Sequence, residues 1–229
     1  MDFKEQMIIE YVRHCQEDYS KGHDLYKEYS KKMEKKGLEN FDEINHVEMI
    51  IKPYLYKWGR MQRVLGQKQY RGWESDIVEQ VRLNFDTLEN FRKMKFESSN
   101  LNDHKTNIIN CYESFNKIVD GVAAAKVLHI ISPYFFPLWD NGISVIVRKE
   151  RVRVAISNEG FLIDIKDFSN KIEDFSGKDY FYFMKILQTI LEKYKNTFSV
   201  LAKSYEKGVL KIMDDFLWML VHESLSLYL

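Results

Sequence analysis

Apolar residues recur three or four positions apart along most of this chain, which is the period of an amphipathic helix. One such series is Ile77, Val81, Phe85, Leu88 and Phe91. It predicts a single helix over Glu74–Lys93. The same spacing predicts one or two helices over residues 2–36 and a last helix over roughly Val209–Leu227. Asp42 precedes another series and predicts an N-cap, because a carboxylate there accepts bonds from free backbone N–H groups.

One segment has a different period. β-Branched or aromatic residues occupy every second position in two short runs, Val152, Val154 and Ile156 and then Phe161, Ile163 and Ile165. The turn sequence Ser-Asn-Glu-Gly lies between the two runs. This alternation predicts two β-strands joined in a hairpin. We therefore predict a mainly α, compact multi-helix globular protein with one inserted β-hairpin near residues 151–166. The 229 residues are expected to form one helical domain, either undivided or in two lobes, about 1–100 and 101–229.

Charge and composition exclude several classes of protein. Lys and Arg together number 34, as do Asp and Glu, so any contact with nucleic acid has to come from a local basic patch. The two cysteines, Cys15 and Cys111, make neither a disulfide framework nor a metal-binding pair. The six histidines show no spacing typical of a zinc site, and we predict no metal ion.

The same reasoning sets expectations for location and cofactors. The first residues show no signal-peptide pattern, and no apolar run approaches the roughly 20 residues that span a bilayer. No glycine-rich nucleotide-binding loop is present. We therefore expect a cytoplasmic protein with no membrane partner and no cofactor. The pattern gives no indication of the oligomeric state.

A proline-containing corner is the clearest candidate for chemistry. Pro133 and Pro137 lie between two helical patterns, and proline restricts both its own φ and the residue before it, so a rigid turn is predicted. Lys126 precedes this corner and Asp140 follows it. A desolvated lysine can act as a nucleophile, and a nearby carboxylate can help a base to depart. The alternative is a solvated Lys126 and an Asp140 that caps the following helix.

Two further residues near the corner are candidate DNA contacts. Trp139 and either Phe135 or Phe136 are expected to anchor the corner in the core, because otherwise they would form an exposed apolar patch. An exposed Trp139 would instead be available to stack on a base. His129 lies one helical turn after Lys126 and can share its face. The alternative for His129 is a buried, hydrogen-bonded core residue.

The residues Gly121-Val122, Lys126 and Pro133-Tyr-Phe-Phe-Pro137-Leu-Trp-Asp140 resemble the central motif of the helix-hairpin-helix (OGG-like) DNA glycosylase superfamily. They also look like a motif of uncharacterised prokaryotic proteins distantly similar to those glycosylases. The resemblance covers about residues 117–150, and the short segment Trp58-Gly-Arg-Met also resembles the superfamily. It implies a glycosylase-like fold, double-stranded DNA as partner and base excision by an N-glycosylase/lyase. Lys126 would be the nucleophile and Asp140 its electrostatic partner. A non-catalytic nucleic-acid or protein-binding module is the alternative.

A basic, aromatic segment is the expected source of phosphate contacts. Lys52–Trp73 contains six basic residues, no acidic residue and several aromatic rings, a combination that suits phosphate backbones and stacked bases. Ala123 stands where the superfamily has the second glycine of its DNA-binding hairpin. We therefore expect Lys57, Arg60 and Arg63 to contact DNA instead. The alternative is that this segment is a solvated surface.

Overall fold

The computed structural model describes residues 3–148 and 175–226, and these residues are mainly helical, without a β-strand among them. The α-helices of this part are α1 (Phe3–Asp18), α2 (Ser20–Lys36), α3 (Gln62–Leu65), α4 (Trp73–Leu83), α5 (Phe85–Lys93), α6 (Lys105–Asn116), α7 (Gly121–Ile131), α8 (Asn141–Arg148), α9 (Gly177–Lys193), α10 (Lys195–Ser204) and α11 (Val209–Ser226). Glu43–Ile51 and Tyr54–Trp58 are π-helical, and Lys68–Tyr70, Phe96–Ser98 and Leu101–His104 are 3-10 helices. The β-hairpin predicted near 151–166 lies outside the described residues.

Most of the helices follow the apolar pattern, but one predicted helix is two. The series over Glu74–Lys93 is interrupted at Asn84, whose side-chain amide donates to the Gln80 carbonyl at 2.9 Å. An asparagine that bonds the backbone in this way competes with the helix, which explains the break. The N-cap prediction for Asp42 is confirmed, because its carboxylate accepts the Asn45 N–H at 2.6 Å.

One apolar core contains residues from both halves of the chain. Helix α1 packs along α11, α6 packs on α7 and α9, and α2 packs on α7 and the π-helical segments. Within the described residues, no helix is both long enough and apolar enough to cross a membrane.

The proline corner is fixed in this core by its aromatic residues. The prediction that Trp139 and either Phe135 or Phe136 anchor it is confirmed, since Trp139 and both phenylalanines have no exposed surface. Trp139 stacks on Phe183, with ring centroids 5.3 Å apart and an interplanar angle of 16°. Beside it, the Tyr180 hydroxyl donates to the Pro137 carbonyl at 2.6 Å. The corner is therefore held by both packing and hydrogen bonds.

We expect Trp139→Ala to lower the free energy of unfolding by about 3–5 kcal/mol, because it removes a buried aromatic ring and leaves a cavity. Urea denaturation of the variant and the wild type measures this change. Tyr134→Ala is the matched control, because Tyr134 lies in the same corner but is 48% exposed. Equal losses in the two variants would contradict the assignment of Trp139 as the anchor.

Candidate functional site

A cleft of about 400 Å³ lies where α1, α2, α7 and α11 meet the second π-helical segment and the proline corner. Lys126 and Asp140 both line this cleft. The other residues of its wall are Cys15, Tyr19, Lys21, Gly22, His23, Leu25, Lys57, Trp58, Gly59, Arg60, Leu138, Trp139, Lys211, Asp214, Asp215 and Trp218. The cleft has the size of a small-molecule or cofactor site, which is typically 300–1,000 Å³.

Lys126 is not a solvated helix residue. Its ammonium donates to the Gly59 carbonyl at 3.0 Å and lies 5.8 Å from the centre of the Trp58 ring. Burial lowers the pKa of Lys126 below its usual value, and Asp140 acts against this effect. A lysine with a lowered pKa is neutral more often at a given pH, and only the neutral amine is nucleophilic.

The carbonyl that holds Lys126 depends on a glycine. A Cβ atom at Gly59 would lie 2.7 Å from the backbone oxygen of Leu55, so any side chain here would force the backbone apart. The next residue, Arg60, has a φ of 55°, a left-handed conformation that non-glycine residues adopt only at a cost. This backbone geometry turns the Gly59 carbonyl to Lys126 and brings Arg60 to the cleft.

Asp140 caps helix α8. Its Oδ1 accepts the Ile143 N–H at 2.8 Å, as the capping alternative predicts. A carboxylate has two oxygens, and no hydrogen bond to Oδ2 occurs among the described residues. The cap therefore fixes the orientation of the Asp140 carboxylate at the cleft and leaves one oxygen to meet a ligand.

A buried ion cluster on α11 forms another part of the wall. The Lys211 ammonium donates to Asp214 Oδ2 at 2.7 Å and also to Asp215 Oδ1. It lies 5.4 Å from the centre of the Trp58 ring and 5.5 Å from that of Tyr26. Burial opposes the charge of Lys211, but Asp214 and Asp215 outweigh it and hold the pKa of Lys211 above its usual value. This lysine is a permanent cation.

A second buried lysine completes the cluster behind the wall. Lys207 donates to Gln16 Oε1 at 2.6 Å, to His23 Nδ1 at 2.7 Å and to Asp215 Oδ2 at 2.9 Å. His23 Nδ1 is therefore an acceptor, and its Nε2–H donates to the Cys15 carbonyl at 2.9 Å. Burial raises the pKa of Asp215, but Lys211 and Lys207 outweigh this effect and lower it to about 2.

This arrangement also bears on metal binding. Cys15, His23 and Asp215 offer ligand atoms that all lie within 4.8 Å of one another. However, the Lys207 ammonium already bonds His23 and Asp215, and burial raises the pKa of the Cys15 thiol. A metal would have to displace a buried cation and ionise this thiol, so the three residues form part of an ion network.

Two tryptophans and three exposed cations, Lys21, Lys57 and Arg60, complete the cleft. Trp58 stacks on Tyr54 at 4.8 Å, and Trp218 meets the Tyr19 ring edge-on at 4.3 Å. Both tryptophans are only half buried, which leaves aromatic surface in the cleft. Lys57 and Arg60 are exposed at its edge, and no ion pair of either occurs within the described ranges. The cleft thus combines aromatic surface with unpaired positive charge.

Not all of the predicted contact residues reach the cleft. Arg63 is exposed on α3 but does not line it. His129 has no exposed surface, donates from Nδ1 to the Phe136 carbonyl at 2.7 Å and accepts the Tyr26 hydroxyl at Nε2 at 2.8 Å. The assignment of His129 as a DNA contact is therefore corrected: it is a core residue, and burial lowers its pKa to about 3. Trp139 is part of the cleft wall, but its side chain has no exposed surface.

The turn before α7 is closed to phosphate. The backbone N–H of Ala123 donates to the Asp120 carboxylate at 2.7 Å, so this N–H is not free for a DNA phosphate. The negative charge of Asp120 would also repel one. This agrees with the expectation that phosphate contacts come from another segment.

Four residues of the cleft wall were not expected from the sequence: Lys211, Asp214, Asp215 and Trp218. A signal was present, because residues 209–221 are apolar except for these charges. A helix that is apolar on nearly all sides is buried, and charges within it have to be paired.

Comparison of the chain with protein-family models, with curated proteins and with solved structures gives no significant match.

Proposed function

We propose that this protein binds double-stranded DNA and accepts an extruded nucleotide in the cleft, where it cleaves the glycosidic bond as a glycosylase-like base-excision enzyme. The observation that carries this proposal is that Lys126 and Asp140 line one cleft whose edge holds the exposed cations Lys57 and Arg60. Enzymes that act on a base in duplex DNA take it out of the stack into a pocket of this kind.

Each part of the cleft suits one part of a nucleotide. Lys57 and Arg60 contact phosphates at the edge, and Trp58 and Trp218 provide faces on which a base stacks. Asp214 uses Oδ2 for Lys211, and no bond to its Oδ1 occurs in the described part of the chain. This oxygen is available to accept an N–H group of the base, which makes Asp214 the residue that reads the base.

The reaction uses Lys126 and Asp140 at the sugar. The neutral Lys126 amine leaves the Gly59 carbonyl and attacks C1′. The bond between C1′ and the base nitrogen breaks, its electron pair stays with the base, and the proton released by the amine neutralises that base. Asp140 stabilises the positive charge that develops on the sugar. The C1′–O4′ bond then breaks, O4′ takes the proton that remains on the Lys126 nitrogen, and an imine forms between Lys126 and C1′.

Borohydride trapping tests this chemistry without knowledge of the damaged base. A duplex with one abasic site presents the C1′ aldehyde, a lysine condenses with it to an imine and water, and borohydride reduces the imine to a stable amine. We expect the wild-type protein to form a covalent adduct with DNA and Lys126→Ala to form none. Lys21→Ala is the control, because it removes a cleft lysine to which neither the chemistry nor a phosphate contact is assigned, and it leaves Lys126 in place.

Absence of an adduct with the wild type, or equal amounts with Lys126→Ala, would contradict catalysis by Lys126. A second candidate function then applies, a non-catalytic nucleic-acid-binding module. Two contacts favour it: Asp140 caps α8, and Lys126 bonds the Gly59 carbonyl, so both residues also have structural roles.

The salt dependence of DNA affinity tests the phosphate contacts that both functions share. Each phosphate contact contributes about 0.9 to the slope of log K against log salt concentration. We expect the double variant Lys57→Ala/Arg60→Ala to make this slope smaller by about 2 in magnitude. Arg63→Ala is the matched control, because Arg63 is exposed but lies outside the cleft. An equal effect of Arg63→Ala, or no affinity of the wild type for duplex at low salt, would contradict the proposed interface.

A further inference from the structure

Four charged residues at the start of α11 and in the turn before it form one linear chain of ion pairs. The order is Lys207, Asp215, Lys211 and Asp214. The side chains of Lys207, Asp215 and Lys211 are at most 4% exposed, and that of Asp214 is 13% exposed. Two positive and two negative charges balance, and Asp214 is the most exposed of the four side chains.

Each lysine holds a different oxygen of Asp215. Lys207 bonds Oδ2, and Lys211 bonds Oδ1. Lys211 at the same time holds Asp214 Oδ2. Without the charge of Lys207, Lys211 would be the single cation for two buried carboxylates. Asp215 would then attract Lys211 more strongly, and the bond that orients Asp214 would weaken.

Lys207 itself does not touch the cleft. It is absent from the cleft wall, and its ammonium is enclosed by Gln16 of α1, His23 of α2 and Asp215 of α11. Lys207 therefore acts on a ligand without touching it, through the residues that it bonds and through its charge.

We propose that Lys207 is a positioning residue for the cleft. It neutralises Asp215 from the side away from the cleft, and Lys211 is then able to orient Asp214. Lys207 also sets the net charge of the ion chain that a ligand meets. The identity of that ligand as DNA rests on the proposed function, but the effect of Lys207 on Asp214 does not.

The protonation of Lys207 makes this effect measurable. Burial lowers the pKa of Lys207 to about 8; Asp215 opposes this shift and Lys211 adds to it. The other titratable groups near it are His23, whose pKa burial lowers, and Cys15, whose pKa burial raises. Lys207 therefore loses its proton as the pH rises through about 8, while Lys211 keeps its own. The ion chain then changes from neutral to a net charge of −1.

Carbon-13 NMR of the aspartate carboxyl groups tests the proposal on the free wild-type protein. Asp214→Asn identifies the Asp214 signal. We expect this signal to shift as the pH rises through about 8, although Asp214 does not touch Lys207. In Lys207→Met, whose fold is verified by circular dichroism, this pH-dependent shift of the Asp214 signal should vanish. An Asp214 signal that does not move near this pH in the wild type, or moves equally in Lys207→Met, would overturn the proposal.

DNA affinity gives the second readout. We expect the affinity of the wild type for labelled duplex to fall on the order of tenfold as the pH rises from 7 to 9, since one added negative charge roughly 10 Å away repels the anionic ligand. Lys207→Arg, which stays charged, should remove this fall. A fall that persists in Lys207→Arg would count against the proposal. Absence of DNA binding at any pH would contradict the proposed function alone, because the carboxyl signal decides the role of Lys207 by itself.

Discussion

The structure of the cleft depends on one buried ammonium group. Lys211 is 3% exposed, bonds two carboxylates of its own helix and lies against the rings of Trp58 and Tyr26. Removing charges from water costs several kcal/mol per ion, and only good geometry and further hydrogen bonds recover that cost. The elements that supply this geometry, α2, α11 and the second π-helical segment, are therefore constrained to one arrangement, and the cleft lies where they meet.

The same constraint connects the candidate chemistry to the fold. The Gly59 backbone that holds Lys126 directly follows Trp58, whose ring lies against both Lys126 and Lys211. On the other side, buried Trp139 and the cap on α8 fix Asp140. Hydrogen bonds thus position Lys126 and Asp140 at the cleft, and the exposed cations Lys57 and Arg60 lie at its edge. Electrostatic stabilisation of a reaction requires charged groups that are held in position before the reaction begins.

The sequence predicts the parts of this structure that depend on neighbours along the chain. Helical periodicity predicts most of the helices. The proline corner predicts how Lys126 and Asp140 come together, because only the end of one helix and the corner itself lie between them. The break at Asn84 depends on one side-chain bond that leaves the apolar pattern intact. Lys57, Arg60 and Arg63 were expected to contact DNA together, but only Lys57 and Arg60 line the cleft. The segment Tyr54–Trp58 is π-helical, which changes the direction of the side chains that follow. The apolar pattern around the α11 charges indicates that they are buried, but the rings of Trp58 and Tyr26 that lie against Lys211 are distant in the chain and appear in no local pattern.

The most direct test of the central claim is a thermodynamic cycle on the ion cluster. Lys211→Met should lower the free energy of unfolding by about 3–5 kcal/mol, because it leaves two buried carboxylates without their shared cation. In the background Asp214→Asn/Asp215→Asn, the same change should cost at least about 2 kcal/mol less, because the carboxylates that need Lys211 are gone. Additivity within about 0.5 kcal/mol would show that these groups do not act together and would contradict a cleft built on Lys211.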